Sequence, residues 1–283
     1  MTIIERALNK HRPAAESARR PRIGSPQPKP IDPSLRLART PASIDRNLCR
    51  ERRVLLSADT DREKAYVAAY RMLRTRLVQK ARAGNWTTIA VTSASPNDGK
   101  TLTVLNLAIS LAREKTREVV LLDMDMRNPS VFRALGIHPR RELREYLETG
   151  NNLHELFVSV GAENLLVAGS VSPTEHASEL LAGARFDELM SIIERGTADP
   201  IVLLDLPPVL VTDDALVVAP KVDSVLVVAS EGLTNRADLL KALNLLSEFP
   251  LAGVVLNRAA ETSPDYNYGY EAASELGANG KTI

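Results

Sequence analysis

The chain has 283 residues, 44% hydrophobic but only 4% aromatic, enough for one sizeable α/β domain whose core is built from Val, Leu, Ile and Ala. A single cysteine, Cys49, excludes an internal disulfide and fits a reducing compartment, and four scattered histidines add no zinc-ligand spacing. The net charge of +1 conceals an asymmetry: residues 1–58 hold 13 Lys and Arg against 5 Asp and Glu, whereas the remainder holds 23 against 30.

The opening MTIIERALNKHRP has no apolar run of signal-peptide length, and no stretch of about 18 uncharged apolar residues occurs, which predicts a cytoplasmic chain. Residues 1–58 also carry seven prolines and read as a basic, largely disordered arm, most clearly up to about residue 43. A solvated arm is the simplest reading; the charge would also suit an acidic partner or anionic lipid. Residues 59–262 then read as the folded domain and 263–283 as a flexible tail. Over residues 60–83, Tyr66, Ala69, Tyr70, Leu73 and Leu77 recur at helical spacing until AGNW ends the helix.

Beyond it, apolar runs at 87–92, 118–123, 164–169, 200–205, 223–229 and 251–257 alternate with helical stretches, notably 101–114, 175–195 and 234–248. The runs are continuously apolar, as strands of a parallel sheet covered on both faces must be. This predicts a doubly wound α/β fold with a mainly parallel sheet of P-loop NTPase type, and a site at the carboxyl ends of the strands.

Three strand ends carry polar signals. Gly99, Lys100 and Thr101 follow the first strand and open a helix, the context a phosphate-binding loop requires. Backbone N–H groups there would bind phosphate oxygens, Lys100 would reach the β/γ-phosphates of ATP, and the Thr101 hydroxyl would ligate Mg²⁺. Ala94 stands where the strict pattern has its first glycine. The second strand ends in VVLLDMDMRNP with Asp123 and Asp125, and a third in IVLLDLPP with Asp205. An aspartate at the end of a buried strand beside such a loop holds Mg²⁺ and its waters, so Thr101, Asp123 and Asp205 are the expected metal-site residues.

These residues resemble the bacterial tyrosine autokinases of capsule and exopolysaccharide synthesis, in the deviant-Walker branch of P-loop ATPases that also holds MinD and ParA. The resemblance runs from about residue 44 to 270. TSASPNDGKT is similar to the family's Walker A and implicates Pro96, Asn97, Asp98, Gly99, Lys100, Thr101 and Leu102 in nucleotide binding. LLDMDMRNP resembles Walker A′, with Asp123, Asp125, Arg127 and Pro129 in place, and adds Arg127 to the nucleotide site. LLDLPP resembles Walker B except at Leu206, where the family usually has Thr or Ser. GVVLNR resembles the strand end that contacts the adenine base, implicating Asn257 and Arg258. AAYRMLRTRL resembles a self-association helix, implying an interface at Arg71 and Arg74, although Ala68 replaces the family's glutamate.

The family ends in a tyrosine-rich tail, and DYNYGY places Tyr266, Tyr268 and Tyr270 there. The resemblance therefore implies phosphoryl transfer from ATP to these tyrosines, between subunits of a homo-oligomer, with Lys100, Asp123, Asp125 and Asp205 catalytic. A phenol with a pKa near 10 needs a carboxylate to take its proton, and Asp123 and Asp125 are both candidates. It also implies a separate membrane activator of the polysaccharide co-polymerase type, recruitment to the inner membrane face, and no nucleic-acid partner. Two readings compete: a positioning ATPase of MinD/ParA type, and a regulatory nucleotide-binding protein with little kinase activity. The lysine of the positioning ATPases, in K-G-G-x-G-K, is replaced here by Ser95, which counts against the first.

Overall fold

The computed structural model describes Leu37 and residues 40–259 apart from Asn152 and Ala198. Along the chain these form β1 (Thr40–Pro41), α1 (Arg46–Glu51), α2 (Asp61–Gly84), β2 (Thr88–Ser93), α3 (Lys100–Ala112), β3 (Val119–Asp123), α4 (Val131–Leu135), α5 (Leu143–Thr149), α6 (Leu153–Leu156) and β4 (Val158–Val160). Then follow β5 (Ala162–Ala168), α7 (Ala177–Ala182), α8 (Ala184–Gly196), β6 (Ile201–Asp205), α9 (Asp214–Val218), a short 3₁₀ turn, β7 (Ser224–Ser230), α10 (Arg236–Leu245) and β8 (Leu251–Asn257). Among the described residues, no helix is long and apolar enough to cross a membrane.

The strands form one sheet in the order β1-β4-β5-β3-β6-β2-β7-β8, parallel everywhere except between β4 and β5. Successive side chains of a strand point to opposite faces, and the two cores divide accordingly. Val119, Leu121, Ile201 and Leu203 pack on the side covered by α2, α3 and α4. Val120, Leu122, Val202 and Leu204 pack on the other side, under α5 and α7 to α10. That two-sided burial explains why β3 and β6 read as unbroken apolar runs.

α2 starts at a capping box: Glu63 N–H donates to Thr60 Oγ1 at 3.2 Å, and the Thr60 N–H donates back to Glu63 Oε2 at 2.9 Å. It ends at Asn85, whose φ of 54° is left-handed. The stretch read as one helix over 175–195 is two, α7 and α8, separated at the extended Gly183. The basic arm drawn to residue 58 needs correction over its last part. From residue 40 the chain is packed on the domain: Cys49, Val54 and Leu55 are buried, and Leu55 N–H donates to Asn106 Oδ1 at 2.8 Å. The arginines of this segment lie outside, so composition reports their charge while the buried Cys49, Val54 and Leu55 do the packing. The Tyr266–Tyr270 cluster lies outside the described residues.

Candidate active site

The strand register assembles the site. Asp123 at the end of β3 pairs across the ladder with Asp205 at the end of β6, and Asp205 pairs with Val91 of β2. Two carboxylates far apart in sequence are therefore neighbours at the strand ends from which the phosphate loop leaves. Asp123 and Asp205 are fully buried and Asp125 nearly so.

The loop between β2 and α3 turns on two left-handed residues, Asn97 at φ 66° and Gly99 at φ 86°. At Gly99 a side chain is excluded twice, because a Cβ there would also stand 2.1 Å from Asn257 Nδ2. Pro96 and Asn97 are exposed, Asp98 is buried, and Leu102 packs partly buried on the α3 side of the core. Asn257 donates to the Asp98 carbonyl at 2.9 Å and Arg258 to the Asn97 carbonyl at 3.0 Å. The end of β8 thus braces the loop from behind.

Lys100 Nζ donates to Asp125 Oδ2 at 2.6 Å and lies 3.7 Å from Asp205 Oδ1. Burial opposes its charge, but the carboxylates of Asp205 and Asp125 outweigh burial and hold the ammonium above its ordinary value. The Thr101 hydroxyl donates to Asp205 Oδ2 at 2.6 Å. Asp123 Oδ2 accepts from the N–H groups of Ser130 and Val131, both at 2.8 Å, and Asp125 Oδ1 accepts from Asn128 N–H at 3.1 Å. Burial, then repulsion from Asp205, pushes the Asp123 carboxyl up to about 7. Burial pushes Asp205 up to about 6 against the pull of Lys100.

One oxygen of each, Asp123 Oδ1 and Asp205 Oδ1, is buried without a hydrogen-bond partner. Two orphaned carboxylate oxygens beside a threonine hydroxyl form a hard, all-oxygen donor set, which fits Mg²⁺ bound through few protein ligands with phosphates and water completing the shell.

Several sequence-predicted residues lie elsewhere. Arg127 is engaged by other partners: its Nε donates to the buried Asp214 at 3.0 Å, and its other nitrogens reach the Glu175 carbonyl and Ser178 Oγ. It ties the Walker A′ turn to α7 and α9. Arg74 is bound to its own chain, donating to the Ser110 carbonyl at 2.8 Å and pairing with Glu114 at 2.9 Å, whereas Arg71 is exposed. Leu206 is buried in the core on the α5–α10 side, where an apolar side chain takes the place of the polar family residue. Two participants had no motif to reveal them. Ser130 Oγ donates to Thr101 Oγ1 at 3.1 Å, and Thr234 Oγ1 donates to Asp98 Oδ1 at 2.5 Å.

A family model described as ParA, NUBPL iron-transfer P-loop NTPase, matches residues 86–279. The tyrosine-protein kinase CpsD of Streptococcus pneumoniae serotype 4 is 34% identical over 178 residues, covering 60% of this chain and 75% of that protein. The kinase domain of the Escherichia coli tyrosine kinase ETK superposes with a TM-score of 0.65 at 27% identity, over 76% of this chain and 85% of that one. The septum site-determining protein MinD of Pyrococcus horikoshii, solved with Mg-ADP, reaches 0.51 at 20% identity over 63% of this chain and 74% of that one. That last likeness is one of fold alone.

Proposed function

The chain belongs to the bacterial tyrosine-protein kinases within the ParA-type P-loop NTPases, and we propose that it transfers the γ-phosphoryl group of Mg·ATP to Tyr266, Tyr268 or Tyr270 of another copy of itself. The observation that supports this best is the meeting of Lys100, Thr101, Asp123, Asp125 and Asp205 at three adjacent strand ends.

Thr101 and Asp205, with Asp123 behind them, would hold Mg²⁺, which when bound neutralises charge developing on the phosphoryl oxygens. The loop amides at the start of α3 bind phosphate and Lys100 orients it. Phosphoryl transfer asks little covalent chemistry of the protein, so this positioning supplies most of the rate. Asp125 takes the proton of the attacking tyrosine. It is 4% exposed and lies beside Lys100, while Asp123 is fully enclosed and held by two backbone amides.

Arg71, on the exposed face of α2, belongs to the surface where copies meet; Arg74 supports that face from within. A separate membrane protein of the polysaccharide co-polymerase type recruits the chain to the inner membrane face and activates it. Its output is control of exopolysaccharide or capsule synthesis. Full-rate autophosphorylation of the isolated chain would refute the dependence on an activator.

The test of the kinase reading is incubation of the full chain with Mg·ATP and mapping of phosphotyrosine by mass spectrometry. Modification within residues 266–270 is expected, and Lys100→Met should lower it at least 100-fold. ATP hydrolysis without any modified tyrosine would favour a regulatory or positioning ATPase instead.

A further inference from the structure

A carboxylate inside a phosphate-binding loop carries the wrong charge for its ligand, yet Asp98 sits in this one, one residue before Gly99, and is fully buried. Each of its oxygens has a partner. Oδ2 accepts the Ser95 N–H at 3.0 Å, which closes the loop on itself. Oδ1 accepts the Thr234 hydroxyl at 2.5 Å, and that hydroxyl in turn accepts the Ser230 N–H at 2.7 Å. Thr234 lies between the end of β7 and the start of α10, two strands along the sheet from Asp205 on β6 and three from Asp123 on β3. The backbone of the same loop residue is held too, its carbonyl by Asn257.

The geometry points to Asp98 and Thr234 as a latch: positioning residues that shape the phosphate loop for nucleotide without touching the nucleotide. The inference rests on the reading of this loop as the ATP site. Asp98 is turned to the side of β7 and β8, its charge absorbed by a backbone amide and a hydroxyl. Of the two left-handed residues that flank it, Gly99 adopts that conformation freely, whereas Asn97 at φ 66° does so at a cost that surrounding contacts must hold in place. The Thr234 side chain has both its hydrogen-bonding roles filled within this chain of contacts, so its removal leaves Asp98 Oδ1 buried and unpaired. The latch also joins the phosphate loop to the end of β7, the strand beside β8 and its Asn257.

The test is Thr234→Val, which keeps the shape and removes the hydroxyl, with Thr234→Ser as the conservative rescue. Mg·ADP binding to the full chain is measured by calorimetry, alongside KM for ATP and kcat for phosphotyrosine formation. Thr234→Val is expected to weaken ADP binding and raise KM about tenfold or more, with kcat at saturating ATP within about threefold of the parent. Thr234→Ser should recover binding to within about threefold. ADP affinity unchanged in Thr234→Val, or equally lost in Thr234→Ser, overturns the latch. So does a Thr234→Val chain that fails to fold, because the latch shapes a loop and does not hold up the domain. ADP binding needs no phosphoryl transfer. A parent chain that binds ADP and modifies no tyrosine would therefore refute the kinase reading, while the variant-to-parent affinity ratio still judges the latch.

Discussion

Asp123 is a fully buried carboxylate beside a second one, Asp205. Its carboxyl sits at about 7 against an ordinary 3.8, through burial and then the neighbouring Asp205. A folded-state value above the unfolded one means that the native state holds the proton more tightly. The contribution of this one group to stability is therefore greatest at acid pH and is lost as pH rises from the ordinary carboxylate range through about 7. In magnesium-free buffer Asp123→Asn should raise Tm, by about 4–10 °C at pH 8 and by clearly less at pH 5. Equal shifts at both pH values would show that charge is not the cause. The same variant should lose most kinase activity with Mg·ATP, since an amide cannot serve the metal site as a carboxylate does. At this scale the sequence was informative where a residue type is rare in its setting. A lysine and threonine after a glycine at a strand end, and aspartates ending apolar runs, stood out. Ser130 and Thr234 did not, because a hydroxyl in a polar loop is unremarkable until the fold sets it beside Thr101 or Asp98.

Among the elements, α2 shows how local signals carry a long helix. It contributes few buried residues, Leu77, Val78 and Ala81, so its amino-terminal turns rest on the Thr60–Glu63 capping box. Thr60→Ala should cost about 1 kcal/mol and lower Tm by roughly 2–4 °C in thermal unfolding. Activity at 25 °C should be kept, because the helix is anchored at its far end and through Arg74. The helix over 60–83 and the six strands were legible from periodicity and from continuous apolar runs. Packing of the segment from residue 40 was not. Its burial comes from Cys49, Val54 and Leu55 together with the Asn106 side chain, which accepts from Leu55 N–H and donates to the Arg53 carbonyl. A polar side chain projecting from α3 gives no such hint in the sequence. The break between α7 and α8 was equally hidden, since Gly183 inside a helical pattern is compatible with either outcome.

At the scale of the whole molecule, transfer between copies can be read from a mixing experiment. Lys100→Met, which keeps its tyrosines, is combined with a chain bearing Tyr266→Phe, Tyr268→Phe and Tyr270→Phe, which keeps its Lys100. Phosphotyrosine on the Lys100→Met chain, at a rate that rises with concentration, is the expected result; none on either chain would mean that transfer runs only within one copy. The sequence by itself determined the fold class, because strands buried on both faces must be apolar throughout and the helices between them must carry the two covers. It also identified most of the chemical groups and the family, because the Walker-type motifs are local and each lies at one strand end. Only the tertiary structure decided their arrangement. The β3–β6 register brings Asp123 beside Asp205, and the β7 and β8 ends meet the phosphate loop through Thr234 and Asn257. The same packing turns Arg127 toward Asp214 and Arg74 toward α3. Such pairings join residues far apart along the chain, and no spacing pattern within it encodes which strand lies beside which.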